Sequence, residues 1–189
     1  MTQHNQHTAS GVTLRGLASL DALTIERLSA IYHEAFPPEE RRPWQQIIHP
    51  AAPGAPTLLA IYLDGTPVGL LSYWLFNQFY YIEHLAISQD VRSAGVGSRA
   101  LATFINDIAK PLPVVVEVEK PESAPIAARR VAFYQRHGFS TISTDYIQPP
   151  YADDLEAVPL DLMATDAQLN AGLVTTTLHK RVYQRFNVS

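Results

Sequence analysis

Apolar residues in this chain change their spacing repeatedly, and each change marks a boundary. Val12 and Leu14 alternate with polar residues in GVTLRGL, as in a short strand. From Asp21 the interval becomes helical, with Ile25, Leu28, Ile31, Tyr32, Ala35 and Phe36 on one stripe, until Pro37 and Pro38 stop the run. The charged turn within PPEERRPWQQIIH leads to a second short helix with Pro43 near its start. Two β-rich runs flank Asp64-Gly65, a pair that supplies positive φ at low cost, so an antiparallel hairpin is expected. FYYIEHLAI is a further strand. Leu101, Phe104, Ile105 and Ile108 then fall at i, i+3, i+4 and i+7, which predicts a helix with one buried stripe. PLPVVVEVEKP is short and β-branched, a strand buried on most sides. APIAARRVAFYQRHGF is a helix closed by Gly138. STISTDYI and AVPLDLMA are strands flanking the loop QPPYADDLE. Leu169, Leu173, Leu178, Val182 and Phe186 mark a last helix, with Lys180, Arg181 and Arg185 toward its end.

The order β-α-α-β-β-β-α-β-α-β-β-α, uninterrupted by any repeat or linker, predicts a single α/β (α+β) domain. Its mixed central sheet has about six or seven strands flanked by helices. Residues 1–10 read as a flexible arm, 11–164 as the domain proper, and 165–189 as a C-terminal helix that packs on the domain or forms a homodimer interface. The 189 residues include 47% hydrophobic and 17% charged side chains, a balance suited to one sizeable core. A net charge of -4 gives no electrostatic case for nucleic acid or a membrane surface. The chain has no cysteine, which excludes disulfides, zinc–thiolate sites and thiol nucleophiles and accords with a cytoplasmic location. MTQHNQHTASG lacks the charged start and apolar stretch of a signal peptide, and no apolar run approaches the ~18 residues of a membrane span. His33, His49, His84, His137 and His179 are scattered, and His4 and His7 lie in the arm, so no metal site is expected.

Chemistry concentrates in AISQDVRSAGVGSRALATFI. Gly95-Val96-Gly97-Ser98-Arg99-Ala100 fits G-x-G-x-x-A, with Glu117 and Glu119 about twenty residues on, as a nicotinamide-dinucleotide fingerprint asks. Context opposes that reading. In such a fingerprint the first glycine follows its strand almost at once, whereas Ser88 through Ala94 intervene here, and three antiparallel-looking strands come first. The alternative is Arg92-Ser93-Ala94-Gly95-Val96-Gly97, an [Gln/Arg]-x-x-Gly-x-[Gly/Ala] turn between a strand and a helix. Glycines admit a ligand close to the backbone, and free amides at a helix start bind a pyrophosphate.

On that motif the chain resembles the GNAT superfamily of acyl-CoA-dependent N-acetyltransferases. YYIEHLAISQDVRSAGVGSRAL is similar to the family's fourth strand and pyrophosphate loop, VVVEVEKP to its fifth strand, and AARRVAFYQRHGF to the helix ending in Tyr-x-x-x-Gly-Phe. The resemblance implies acetyl-CoA as cosubstrate, without a metal, and transfer to a primary amine of a small molecule or peptide. It further implies that the backbone of Leu85, Ala86 and Ile87 holds the pantetheine arm and that the amides from Arg92 through Ser93, Ala94, Gly95, Val96, Gly97 and Ser98 hold the pyrophosphate. The same resemblance implies that Tyr134 stands where it can protonate the leaving thiolate. Two glutamates are candidate bases: Glu117 in VEV, and Glu83 in YIEHL, which strand alternation puts on the face of Tyr81 and Leu85. Many relatives carry an asparagine seven residues before the tyrosine; here that residue is Ala127.

In such folds the acceptor is recognised by the loop between the first two helices and by the C-terminal strands. That implies Phe36, Glu39, Glu40, Arg41, Arg42 and Trp44, together with Gln148, Pro149, Pro150 and Tyr151. Acidic residues there suit a cationic amine, while Arg41 and Arg42 suit a carboxylate. A non-catalytic acyl-CoA-binding or regulatory module and an NAD-dependent enzyme are the alternatives to an acetyltransferase.

Overall fold

The computed structural model describes residues 11–49, 55–92, 94–152 and 154–183. The N-terminal arm, Ser93, Arg185 and Phe186 lie outside the described residues. In chain order the elements are β1 (Val12–Gly16), α1 (Ala22–Ala35), α2 (Trp44–Ile48), β2 (Thr57–Leu63), β3 (Thr66–Leu75), β4 (Tyr80–Ile87), α3 (Val96–Thr103), β5 (Val114–Glu119), α4 (Pro125–Arg136), β6 (Ser140–Gln148), β7 (Val158–Ala164) and α5 (Ala171–Arg181). The strands form one sheet in the order β1-β2-β3-β4-β5-β7-β6. All neighbours are antiparallel except β4 and β5. That arrangement excludes the doubly wound parallel sheet on which the dinucleotide reading of the glycine turn depends.

Local chemistry accounts for most boundaries. The Asp21 carboxylate accepts the Thr24 amide at 2.8 Å and caps α1. Phe36 leaves the helix at φ -123°, ahead of the two prolines. Asp64 and Gly65 both have positive φ, 49° and 82°, the geometry a tight β2–β3 hairpin requires.

One helix departs from its sequence pattern. After Thr103 the hydrogen bonding slips into a π-helical turn over Phe104–Ala109, which inserts a residue into the turn. The inward stripe therefore runs through Val96, Ala100, Leu101, Phe104 and Ala109, while Ile105 and Ile108 are only partly covered.

The sheet is buried on both faces. Leu59, Ile61, Ile82, Val114, Val116 and Val118 meet α3 and α4 on one side. On the other, Leu58, Ala60 and Leu70 meet α1 and α2, and Trp74, Tyr81, Val115 and Leu162 meet Val174 and Leu178 of α5. Among the described residues no helix is long and apolar enough to cross a membrane.

Strand β4 carries two irregularities. First, Tyr73 pairs with Ile82 and Ser72 with His84, so Glu83 is an extra residue, a β-bulge. Tyr81 and Glu83 share the α5 side as alternation predicts, but Leu85 does not, because the bulge resets the period and turns it toward α3. Second, β4 and β5 pair only from Tyr80↔Val114 to Ile82↔Val116 and then part. Gly69 on β3 supports this stretch: an added Cβ would lie 2.4 Å from the Ala86 carbonyl oxygen and 2.8 Å from Ile87 Cδ1.

Candidate active site

Where β4 and β5 part, a cleft of about 390 Å³ opens between them. β4 contributes Ile82 through Ile87, β5 contributes Glu117 through Glu119, and the β6–β7 side contributes Gln148, Tyr151 and Leu160. Glu34, Ala35, Phe36 and Glu40 close it from the α1 end, and Ile126, Arg130 and Tyr134 from α4. Parallel strands that diverge leave backbone amides and carbonyls without a ladder partner, so the β4 edge beyond Ile82 can pair an extended ligand.

Ile87 and Arg92 line one end of the cleft, and the glycine turn lies beyond them, outside the lining, against the end of β4. Gly95, at φ +70°, is the N-cap of α3 and has no side-chain cap bond, which leaves the first-turn amides free to face an anion. Gly97 packs on the end of β4: an added Cβ would stand 3.5 Å from Ile87 Cγ1 and 4.0 Å from Phe133 Cζ, ordinary contact distances. The protein alone would accept alanine there. Arg92 turns back to donate from Nε to the Ile87 carbonyl at 3.2 Å, and Arg99 donates to the Ala94 carbonyl at 3.2 Å.

At the other end, two carboxylates sit on adjacent strands in unlike surroundings. The Glu83 side chain is fully covered and takes three donors: Arg42 Nε at 2.8 Å, Trp74 Nε1 at 2.8 Å and the Tyr151 hydroxyl at 3.0 Å. Arg42 is itself held by Gln46 at 3.1 Å and by the Val182 carbonyl at 2.8 Å. Burial pushes the Glu83 carboxyl up, but the charge of Arg42, aided by the Trp74 indole, holds it below its ordinary value.

Glu117 has no cation. Its Oε2 accepts the hydroxyls of Tyr81 and Tyr183, each at 2.7 Å, and its Oε1 accepts that of Tyr146. Burial pushes this carboxyl up to about 7, against the downward pull of the three phenols. Burial likewise raises the Tyr134 phenol to about 12, so it stays a proton donor across the neutral range. Beside Glu83, His84 is buried and its pKa falls through desolvation. Its Nε2 lies 3.2 Å from the Glu40 carbonyl, an acceptor, which assigns the proton to Nε2 and leaves Nδ1 to accept the Ser72 hydroxyl at 3.0 Å.

Among the sequence-nominated residues, Phe36, Glu40, Glu83, Leu85, Ala86, Ile87, Arg92, Glu117, Tyr134 and Tyr151 line this one cleft. Ala94, Gly95, Val96, Gly97, Ser98, Pro149 and Pro150 do not line it, nor do Glu39, Arg41 and Trp44. Arg41 donates to the His33 carbonyl at 3.3 Å, and Trp44 packs on Tyr32 in the groove between α1 and α2. Arg42 is 7% exposed and committed to Glu83, so it is not free for a substrate carboxylate. Ala127 is wholly buried in α4. Burial and the charge of Glu119 raise the pKa of Glu40. Gln148 Nε2 is the single buried side-chain nitrogen or oxygen without a partner among the described residues. The residues sequence reasoning missed are Tyr81, Tyr146, Tyr183 and Trp74. A glutamate between valines signals that partners must exist, but not where in the chain they lie. No group of three metal-ligating side chains occurs among the described residues.

Comparison with known proteins adds independent findings. The model of the acetyltransferase (GNAT) family matches residues 24–139. A GNAT-family chain from Bacteroides thetaiotaomicron superposes with a TM-score of 0.81 at 34% identity, covering 90% of this chain and 98% of its own. Two more distant structures share the fold. Naa50 of Arabidopsis thaliana, solved with the bisubstrate analogue CoA-Ac-MVNAL, is 19% identical with a TM-score of 0.57, over 81% of this chain and 97% of that one. A ribosomal-protein alanine N-acetyltransferase from Escherichia coli is 15% identical with a TM-score of 0.57, over 82% and 92%. A search of curated proteins found no match.

Proposed function

Because the chain belongs to the GNAT acetyltransferase family, we propose that it moves an acetyl group from acetyl-CoA to a primary amine of a small molecule or peptide, by direct attack. The observation that carries this reading is the parting of β4 from β5 beyond Ile82, which opens a cleft running from Glu117 to Ile87 and Arg92, where Gly97 of the glycine turn packs on the end of β4. The pyrophosphate would sit on the free amides of Gly95 to Ser98, with the pantetheine arm along the open edge of Leu85, Ala86 and Ile87. Gly97 favours this placement, since the protein's own packing gives no reason for glycine there.

Glu117 is the base we assign. It needs to be ionised often enough to take a proton and basic enough to hold it, and a carboxyl brought to about 7 meets both demands at neutral pH. Glu83 is tied to Arg42 and held as a weak base. A protonated amine gives its proton to Glu117, and the freed lone pair attacks the thioester carbon. A backbone amide near Ile87 stabilises the oxyanion. As that intermediate collapses, the C–S bond breaks and Tyr134 donates its phenolic proton to the thiolate. The proton still on the product nitrogen passes through water to the Tyr134 phenolate, while Glu117 returns its own to solvent. Acceptor recognition falls to Phe36, Glu40, Gln148 and Tyr151. The raised Glu40 carboxyl suits a cation, and the unpartnered Gln148 amide suits a carbonyl oxygen.

The test is calorimetric titration with acetyl-CoA and with NAD, on the wild type and on Gly97→Glu, followed by thiol-release assays over a panel of amines. Acetyl-CoA binding that the variant loses, with turnover of at least one amine, is the expected result. Binding without turnover, unaffected by Tyr134→Phe, would support a non-catalytic acyl-CoA module. No acetyl-CoA binding, or NAD binding in its place, would end the proposal.

A further inference from the structure

The phenols around Glu117 come from three separate parts of the chain. Tyr81 stands on β4, Tyr146 on β6, and Tyr183 follows α5. Their exposures are 1%, 2% and 6%, so none has bulk water as an alternative partner. Tyr81 and Tyr183 also lie 3.3 Å apart, hydroxyl to hydroxyl, which makes the three donors and one carboxylate a single network. A carboxylate offers about four lone-pair sites. Two on Oε2 are taken by Tyr81 and Tyr183 and one on Oε1 by Tyr146, which leaves one on Oε1.

We infer that Tyr81, Tyr146 and Tyr183 are positioning residues for the base. They fix the Glu117 carboxylate so that a single lone pair of Oε1 remains for the acceptor amine, and they set the pH at which that lone pair becomes free. This inference rests on Glu117 as base, and goes beyond it by making the C-terminal segment part of the acid–base machinery. Neutral phenols suit this task better than a cation would. Each donates a hydrogen bond that favours the ionised form, yet together they bring no positive charge, so burial still holds the carboxyl near neutrality. The other groups acting on this site are Glu83, whose charge raises Glu117, Tyr151, whose ring lies 5.2 Å from that of Tyr183, and His179 of α5, whose ring lies 5.5 Å from that of Tyr146.

Tyr183→Phe removes one donor and keeps the ring. The expected result is a pH profile of kcat/KM whose acidic limb moves to higher pH by roughly one unit, as loss of one charge-assisted hydrogen bond implies, with a retained plateau. The same shift should appear in the Glu117 carboxyl resonance of ¹³C-glutamate-labelled protein. Tyr73→Phe, on the opposite face of the sheet beside Phe104, is the control and should move neither readout. If the Tyr183→Phe resonance titrates as in wild type, or moves to lower pH, the positioning role is overturned. If the resonance shifts while kcat/KM does not, the phenols tune Glu117 but Glu117 is not the base, and the failure then belongs to the mechanistic assignment.

Discussion

Glu83 and Glu117 line the same cleft from neighbouring strands, and each takes three donors, yet the donors differ in kind. Around Glu83 one of the three is a guanidinium, itself anchored by Gln46 and Val182. Around Glu117 all three are neutral phenols. Equal numbers of hydrogen bonds thus lead to opposite outcomes, one carboxyl held below its ordinary value and one lifted to about 7. Hydrogen-bond count does not decide whether a buried acid is held ionised or brought near neutrality. The presence of a compensating charge does.

The sharpest way to break this contrast is to neutralise each acid in turn. Glu117→Gln should lower kcat by roughly 10²- to 10⁴-fold, the usual worth of a positioned base, while calorimetry shows acetyl-CoA binding unchanged. Arg42→Met leaves Glu83 covered and unpaired, and should cost about 3 to 5 kcal/mol in urea unfolding, with the loss smaller at low pH where Glu83 can be protonated. A third experiment compares the stability of the two Glu→Gln variants across pH. Glu117 binds its proton more tightly folded than unfolded, so its contribution is present below its unfolded value of about 4.5 and is lost as pH rises through 7. Glu117→Gln should therefore gain about 3 kcal/mol on wild type between pH 4 and pH 9. Glu83 has the opposite sign. Its contribution is present above its unfolded value and disappears as pH falls through its lowered folded one, so Glu83→Gln should lose ground at neutral pH. The smallest effect belongs to Trp74→Phe, which deletes one donor to Glu83 but leaves the guanidinium; about 1 to 2 kcal/mol by thermal unfolding is expected, with kcat unchanged.

The sequence foretold these two environments unequally with the rest of the molecule. Features set within a few residues were legible: the start of α1 at Asp21, the Asp64-Gly65 turn, the halt of α1 at its prolines, and the order of elements. Features set by pairing at a distance were not. Insertion of β7 between β5 and β6 leaves no mark on either strand's composition. The bulge at Glu83 escaped because alternation was extended through it, which misplaced Leu85. The π turn after Thr103 escaped because Leu101, Phe104, Ile105 and Ile108 fit an ordinary helix equally well. The partners of Glu117 were hardest of all, since a tyrosine in a strand reads as core packing until its hydroxyl has a destination, and here the destinations converge from β4, β6 and the segment after α5.

That convergence orders events during synthesis. Residues 182 and 183 supply the carbonyl that holds Arg42 against Glu83 and one of the hydroxyls on Glu117, so both carboxylates are completed from the same late stretch of chain. A ribosome-bound chain extended through β5 and α4 already has the strands that part and the glycine turn, but neither acid has its full set of donors. The strands that flank the cleft are thus made before the residues that complete the surroundings of both carboxylates.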